Sequence, residues 1–141
     1  DPLWSRGLGD VYKRQPFTAD DFRYYWEDIA NNVELAPYGP PRELLVDGKP
    51  PRVTFPDAVT VRYEWDAPNP YFLPAISGAQ PLYIFRPAHY LKQFHARYAE
   101  PEQLKRAVAE AGQRNWVALH FKFDQAYKNS NPDMPSLEPW F

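Results

Sequence analysis

The chain has 141 residues and a formal net charge of −2, which excludes the basic surface that nucleic acid or an anionic membrane would require. It has no cysteine, so disulfides, thiolate metal sites and cysteine nucleophiles are excluded as well. Its 17 prolines are typical of a disordered chain, but its 9 Phe, 5 Trp and 10 Tyr are not. The composition therefore predicts a folded protein with stiff connections and a bulky core.

The first fifteen residues, "DPLWSRGLGDVYKRQ", have neither helical nor strand periodicity and no signal-peptide features. "GLGDVYKRQ" resembles translated sequencing-adapter read-through. We therefore predict that residues 1–15 are not native and that the native segment is 16–141. The alternative is an ordinary irregular N-terminal arm.

A helix is predicted over 18–31. Thr18 can cap its first turn, and Asp21, three residues later, can reach back to the Thr18 N–H. Apolar residues then recur at helical spacing, which predicts one buried face: Phe22, Tyr25, Trp26 and Ile29.

Residues 33–51 are rich in proline and are predicted to form a connection with at most a short turn near Arg42–Val46. A β-hairpin follows, with strands over 52–55 and 58–65 and a turn at Pro56-Asp57. In its second strand, a buried face of Val59, Val61, Tyr63 and Trp65 alternates with an exposed face of Thr60, Arg62 and Glu64.

Further helices are predicted downstream. A short one begins near Pro70, ends at Gly78 and packs Tyr71, Phe72, Leu73 and Ile76 inward. Residues 82–85 are predicted to form a short apolar strand or an extended segment. Three more helices are predicted over 86–98, 100–112 and 115–127, with Gly112 ending the second and Asn115 capping the third. Their inward residues are Leu91, Phe94, His95 and Tyr98; then Leu104, Ala107, Val108 and Ala111; then Trp116, Leu119 and Phe123.

The three histidines do not have metal-ligand spacing. His89 and His95 lie six residues apart, about 120° around a helix, and His120 is distant in sequence. We predict packing or capping roles for them, no metal site and no cofactor.

The carboxylates likewise lack a catalytic arrangement, since a glycoside hydrolase needs two that face each other at short range. Asp20 and Asp21 are explained by the helix start, and the others are predicted on exposed faces: Glu27, Asp28, Asp57, Glu64 and Asp66. The chain is therefore predicted not to be an enzyme.

Aromatic residues at periodic positions are predicted to be core: Trp26, Tyr63, Trp65 and Trp116. Those on connections, Tyr38 and Tyr71, are better candidates for a ligand wall. Ser77, Gly78 and Gln80 follow the short helix and offer backbone that a ligand could approach.

Several segments, in order, resemble the extracellular solute-binding proteins of family 5, the peptide- and nickel-type binding proteins of ABC importers. They are "PFTADDFRYYWEDI", "AVTVRYEWDAPNPYFL", "RPAHYLKQFHARYA" and "NPDMPSLEPW". Pro16–Phe22 matches the family's "P-F-T-A-D-D-F/V", Asp57–Phe72 its "D-x-Y-T-V-R-F-x-L-x-x-P-x-P-x-F", and Pro87–His89 its "P-x-H". The proline-rich 33–51 connection and the bulky Tyr63 and Trp65 depart from the family pattern.

The resemblance implies an α+β fold: several helices with a short antiparallel β-hairpin, as a fragment of the first lobe of a two-lobed, type II-like periplasmic-binding-protein fold. It implies a periplasmic or lipid-anchored extracytoplasmic protein that binds peptides and delivers them to a membrane permease. It also places the loops with Tyr38 and Ser77–Gln80 near the cleft. The alternatives are an oligosaccharide-binding protein of the same fold, and a carbohydrate-processing enzyme or carbohydrate-binding module.

Overall fold

The computed structural model of the chain describes residues 15–124 and 133–135. The predicted non-native segment therefore lies outside the described residues, except for Gln15. The chain divides into two compact units. One spans Phe17–Arg86, and the other contains the described residues from Pro87 onward. We describe each unit by itself.

The first unit opens with α1, Ala19–Arg23, and the predicted capping box is confirmed. The Asp20 N–H donates to the Thr18 hydroxyl at 3.3 Å, and the Thr18 N–H donates to Asp21 Oδ2 at 3.0 Å. Both bonds satisfy donors that a helix start leaves open, so the local sequence is sufficient to begin the helix here.

The predicted helix continues to Ala30 but changes register, because Tyr24–Ala30 is a π-helix. At its end, the Asn31 N–H donates to the Trp26 carbonyl, five residues earlier, at 3.2 Å. The predicted inward face is confirmed: Tyr25 is buried, and Phe22, Trp26 and Ile29 pack against the same core. The apolar spacing alone did not indicate the π register.

The connection contains the predicted short turn, a 3-10 helix over Arg42–Leu44. It also contains a tight turn that the sequence analysis missed. Val46 and Lys49 exchange backbone hydrogen bonds of 3.0 and 2.9 Å across Asp47-Gly48, whose φ angles are 51° and 74°. An Asp-Gly pair is the usual signal for a turn with two positive φ angles.

The hairpin pairs β1, Arg52–Asp57, with β2, Thr60–Glu64, in antiparallel register, Val53 opposite Tyr63. The register shifts between Thr54 and Asp57, so the turn falls at 58–59 rather than at the predicted Pro56-Asp57. Asp57 Oδ1 accepts from the Val59 N–H at 2.9 Å, which fixes this turn. Val59 is consequently 85% exposed, and its predicted burial was wrong.

The remaining alternation of β2 is confirmed, because Val61, Tyr63 and Trp65 are half-buried and Arg62 is exposed. A Val61→Asp variant should therefore lose roughly 1–3 kcal/mol of unfolding free energy, the cost of desolvating a polar group. Val59→Asp, the same change in the turn, should stay within about 0.5 kcal/mol of the parent. Urea unfolding of both variants checks this; equal losses would mean that the strand register is wrong.

Helix α2, Phe72–Ser77, forms as predicted near Pro70 and ends at Gly78. Phe72 and Ile76 pack against the core, but Tyr71 and Leu73 are exposed, so half of its predicted inward set was wrong. The segment after it forms no strand within the described residues, so the predicted strand at 82–85 is absent there, and it contributes buried Ile84. One core cluster of the first unit gathers four buried residues: Tyr25, Ala30, Leu44 and Ile84.

The second unit begins with α3, Ala88–Leu91, and a 3-10 turn, Lys92–Phe94. The predicted helix over 86–98 is therefore shorter than expected. The backbone of His95 is extended, and its Nδ1 accepts from the Arg97 N–H at 3.1 Å. This side-chain acceptor replaces the carbonyl that a continuing helix would offer.

Helix α4, Pro101–Glu110, is followed by Gly112 at φ 64°, as predicted for its stop. Helix α5, Trp116–Phe123, is capped by Asn115, whose Oδ1 accepts from the Ala118 N–H at 2.9 Å. It ends before the predicted residue 127, because Asp124 is no longer helical; residues 125–127 lie outside the description.

The core of the second unit includes leucines from these helices and a stacked aromatic pair. Leu91, Leu104 and Leu119 are buried. The rings of Phe94 and Phe123 stack with centroids 4.2 Å apart. Tyr98, which was predicted to face inward, is exposed.

Candidate functional site

The candidate ligand residues lie in two places in the first unit. Tyr38 is in the proline-rich connection and is 100% exposed, so it packs against none of the other candidates. Tyr71 precedes α2, and Ser77, Gly78 and Gln80 lie at and beyond its other end. The structure therefore brings four of the five to one short helix and leaves Tyr38 apart.

The end of α2 is less specialised than the sequence suggested. The Ser77 hydroxyl donates to the Leu73 carbonyl at 2.7 Å, a bond within the helix. A Cβ added at Gly78 would meet the Pro74 carbonyl oxygen at 3.5 Å, an ordinary contact distance. Crowding therefore does not require a glycine at position 78. Tyr71 and Gln80, by comparison, expose their side chains to solvent and remain available to a ligand.

Asn69 positions this helix, and the sequence analysis missed it. Its Oδ1 accepts from the N–H groups of Tyr71 and Phe72 at 2.9 and 3.2 Å. Its Nδ2 donates to the Glu43 carbonyl at 3.0 Å, which ties the helix start to the connection. The available signal was an Asn placed just before a short helix, since Asn side chains favour such caps.

The aromatic residues of the hairpin belong to the core, as predicted. Trp65 Nε1 donates to the Leu44 carbonyl at 2.7 Å, and its ring lies 4.9 Å from that of Phe72. The ring of Tyr63 lies 5.2 Å from Phe72. Burial, and secondarily the neighbouring Tyr25, raises the pKa of the Tyr63 hydroxyl above its usual value. These rings are packing groups, so they do not form an open stacking platform.

A small cleft lies beside the open end of the hairpin, and its volume is about 70 Å³. Small-molecule sites typically have about 300–1,000 Å³, so this cleft cannot enclose a peptide. Charged side chains dominate its wall. The residues lining it are Val46, Asp47, Lys49, Pro50, Arg52, Glu64, Trp65, Asp66 and Ala67.

An exposed ion pair crosses this cleft wall, with Arg52 Nη1 and Asp66 Oδ1 separated by 2.7 Å. The hydrogen bond from Arg52, reinforced by its charge, lowers the pKa of the Asp66 carboxyl and raises that of the guanidinium. Exposed pairs contribute little to stability because water screens them. The pair connects the first residue of β1 to the residue two positions beyond the end of β2.

The pH dependence of this pair has a definite sign. A lowered carboxyl pKa means that the pairing is present above the unfolded value, about 3.9, and is lost as pH falls through the folded value. In Arg52→Gln, the Asp66 titration midpoint should therefore rise towards that ordinary value. Carboxyl NMR titration measures it, with Arg62→Gln as a matched control that should leave Asp66 unchanged. An unshifted Asp66 midpoint in Arg52→Gln would mean that a group other than Arg52 lowers the pKa of the Asp66 carboxyl.

One predicted exposure among the carboxylates was wrong, because Asp28 is buried. It lies four residues after buried Tyr24 on the π-helix and therefore shares its inner side. Asp21 is also buried, and its Oδ2 accepts from the Thr18 N–H. Glu27, Asp57, Glu64 and Asp66 are exposed as predicted.

Two histidines pack together in the second unit. His95 and His120 are buried, and their rings are nearly perpendicular, with centroids 5.8 Å apart. The Trp116 ring lies 4.8 Å from that of His95, which supports the predicted core role of Trp116. The predicted angle between His89 and His95 does not apply, because the helix ends at Phe94. Over 15–124 and 133–135, no cluster of three potential metal ligands occurs.

Within the described part of the chain, no helix combines the length and apolar character needed to cross a bilayer. The chain matches no protein-family profile, and no match to a curated protein was found. Among solved structures, it is similar to an oligopeptide-binding protein, OppA, with 28% identity and a TM-score of 0.70. The match covers 92% of this chain and 19% of that protein, so the chain spans about a fifth of its length.

Proposed function

We propose that this chain is part of the first lobe of an extracytoplasmic solute-binding protein that binds peptides and delivers them to an ABC importer permease. The observation that carries the proposal is the similarity to a part of an oligopeptide-binding protein, over 92% of the chain. The resemblance of several segments to the solute-binding proteins of family 5 points to the same kind of protein.

The contacts within the first unit are consistent with a scaffold. The capping box at Thr18 and the Asn69 bonds to the start of α2 hold elements in place, and neither presents a nucleophile beside a base. The Trp65 indole N–H, a group that could recognise a ligand, is already bonded to the Leu44 carbonyl. The similarity to an oligopeptide-binding protein favours a binding protein over an enzyme.

In the proposed mechanism, the ligand binds between two lobes, and closure excludes water. A peptide held mainly through its backbone groups would be accepted with many sequences, because those groups are common to all peptides. This chain would supply part of one wall. Tyr38, Tyr71 and Gln80 are the candidate contacts with exposed side chains, and Ser77 and Gly78 complete the set.

The test compares the 141-residue chain with the longer polypeptide in which it is proposed to lie. Calorimetry with a mixed peptide pool should show binding only by the longer protein, since one wall provides only part of the contacts. Each 1.4 kcal/mol of lost interaction weakens binding about tenfold. A cello-oligosaccharide pool tests the alternative ligand class. Tight peptide binding by the short chain alone, or turnover of either pool, would contradict the proposal.

The candidate contacts are tested in the longer protein. Tyr71→Ala should weaken peptide binding about tenfold or more, the scale of one aromatic contact at an interface. Val33→Ala is the control, because Val33 is also exposed but lies outside the candidate set. If the two variants bound peptide with equal affinity, Tyr71 would not be part of the site. The proposed function would then be decided by the calorimetry with the peptide and oligosaccharide pools.

A further inference from the structure

The π-helix over Tyr24–Ala30 lies in the first unit and requires an explanation of its own. Such segments are rare, since most helices keep four-residue hydrogen-bond spacing throughout. The preceding α1 is regular: the Tyr24 N–H still bonds the Asp20 carbonyl, four residues earlier. The change of register therefore occurs inside one continuous helix, with no proline or glycine in it.

Asn31 holds the end of this segment through two hydrogen bonds to one acceptor. Its Nδ2 donates to the Trp26 carbonyl at 2.7 Å, and its backbone N–H donates to the same oxygen at 3.2 Å. In an α-helix, that oxygen would instead accept from the N–H of Ala30, four residues on. Because a carbonyl has two lone pairs, Asn31 occupies the acceptor that the α register needs.

The π register also explains which residues are buried together. Tyr25 and Ala30 belong to one core cluster with Leu44 and Ile84, although they are five residues apart. In an α-helix, residues five apart point about 140° away from each other, since each residue turns by about 100°. The wider turn therefore brings Ala30 to the same side as Tyr25.

We propose that the Asn31 side chain selects the π register of this helix. Without its amide donor, the helix relaxes to the α register, and Ala30 turns away from the core. Asn31 is a positioning residue in this scheme, because its own side chain is exposed and contributes no burial. The segment is thus a two-state element whose register depends on one hydrogen bond.

The test is NMR detection of scalar couplings across hydrogen bonds in the full chain. The wild-type protein should show a coupling between the backbone amide nitrogen of Asn31 and the Trp26 carbonyl carbon, which reports the π register. The Asn31→Asp variant is nearly isosteric, but its side chain cannot donate. Its couplings should report the α register, from the backbone nitrogen of Ala30 to the Trp26 carbonyl carbon and from the backbone nitrogen at position 31 to the Glu27 carbonyl carbon. NOEs from the Ala30 methyl group to the core cluster should be lost.

Asn32→Ala is the matched control. In the wild-type protein, the Asn32 Oδ1 accepts from the N–H groups of Glu34 and Leu35 at 2.9 and 3.1 Å, which lie outside the π segment. The wild-type couplings should therefore persist in Asn32→Ala. Absence of the wild-type coupling, or its persistence in Asn31→Asp, would overturn the proposal. Asn31→Ala gives a second variant that is uncharged and has no side-chain donor. Unfolding of both Asn31 variants would also overturn it, since an exposed register selector is not needed for folding.

Discussion

A Leu44→Ala variant is expected to lose about 2–5 kcal/mol of unfolding free energy, the range for truncating a buried leucine. Leu44 is 0% exposed and belongs to the core cluster of the first unit. Its backbone carbonyl also accepts the Trp65 indole N–H at 2.7 Å, so the 3-10 turn joins the hairpin to the core. A cavity at this point would remove contacts from several elements that meet there.

The measurement is urea unfolding combined with hydrogen exchange at the Trp65 indole, which should accelerate in the variant. Leu45→Ala is the matched control, because Leu45 is the next residue but is only half-buried. Leu45→Ala should lower the unfolding free energy clearly less than Leu44→Ala does. Equal losses for the two leucines would show that Leu44 does not occupy the centre of this core.

The second large effect is expected in the other unit. Leu119→Ala should lower the unfolding free energy by about 2–5 kcal/mol, because Leu119 is 0% exposed on α5. Phe121→Ala removes a larger side chain from the same helix, but Phe121 is 49% exposed and should cost less. Thermal unfolding of both variants measures the order. The reverse order would mean that α5 presents its other face to the core.

Features that depend on neighbouring residues were predictable from the sequence. The Thr18–Asp21 capping box, the Asn115 cap and the stop at Gly112 all formed where the pattern placed them. In each case the donor and acceptor lie within a few residues, so no knowledge of the fold is needed. The half-buried face of β2 followed for the same reason, from a period of two residues.

Features set by distant contacts were not predictable. Leu44 lies in a proline-rich connection with no periodic pattern, yet it is at the core, because Trp65 and Phe72 pack over that turn. The π register depends on an exposed Asn31 side chain that could equally have bonded to water. The hairpin turn moved because a shift in the strand pairing made Asp57 the last residue of β1.

The candidate site was predictable only as a set of loop residues. Nothing in the sequence near Tyr38 distinguishes full exposure from burial, and the structure leaves it apart from Tyr71. Asn69, which positions the start of α2, was missed because its Nδ2 bonds a carbonyl 26 residues away. Long-range partners of this kind decide where a short helix points.

The end of α4 places a strict demand on chirality. Gly112 has φ 64°, and a Cβ built there meets no atom within 4 Å, so space is available and only handedness opposes a side chain. An L-residue in this conformation costs about 1–2 kcal/mol. A D-residue favours the same angle, so D-alanine introduced by chemical synthesis would fit without strain. It would also restrict the unfolded chain, and the position is therefore a site for stabilisation by a mirror-image amino acid.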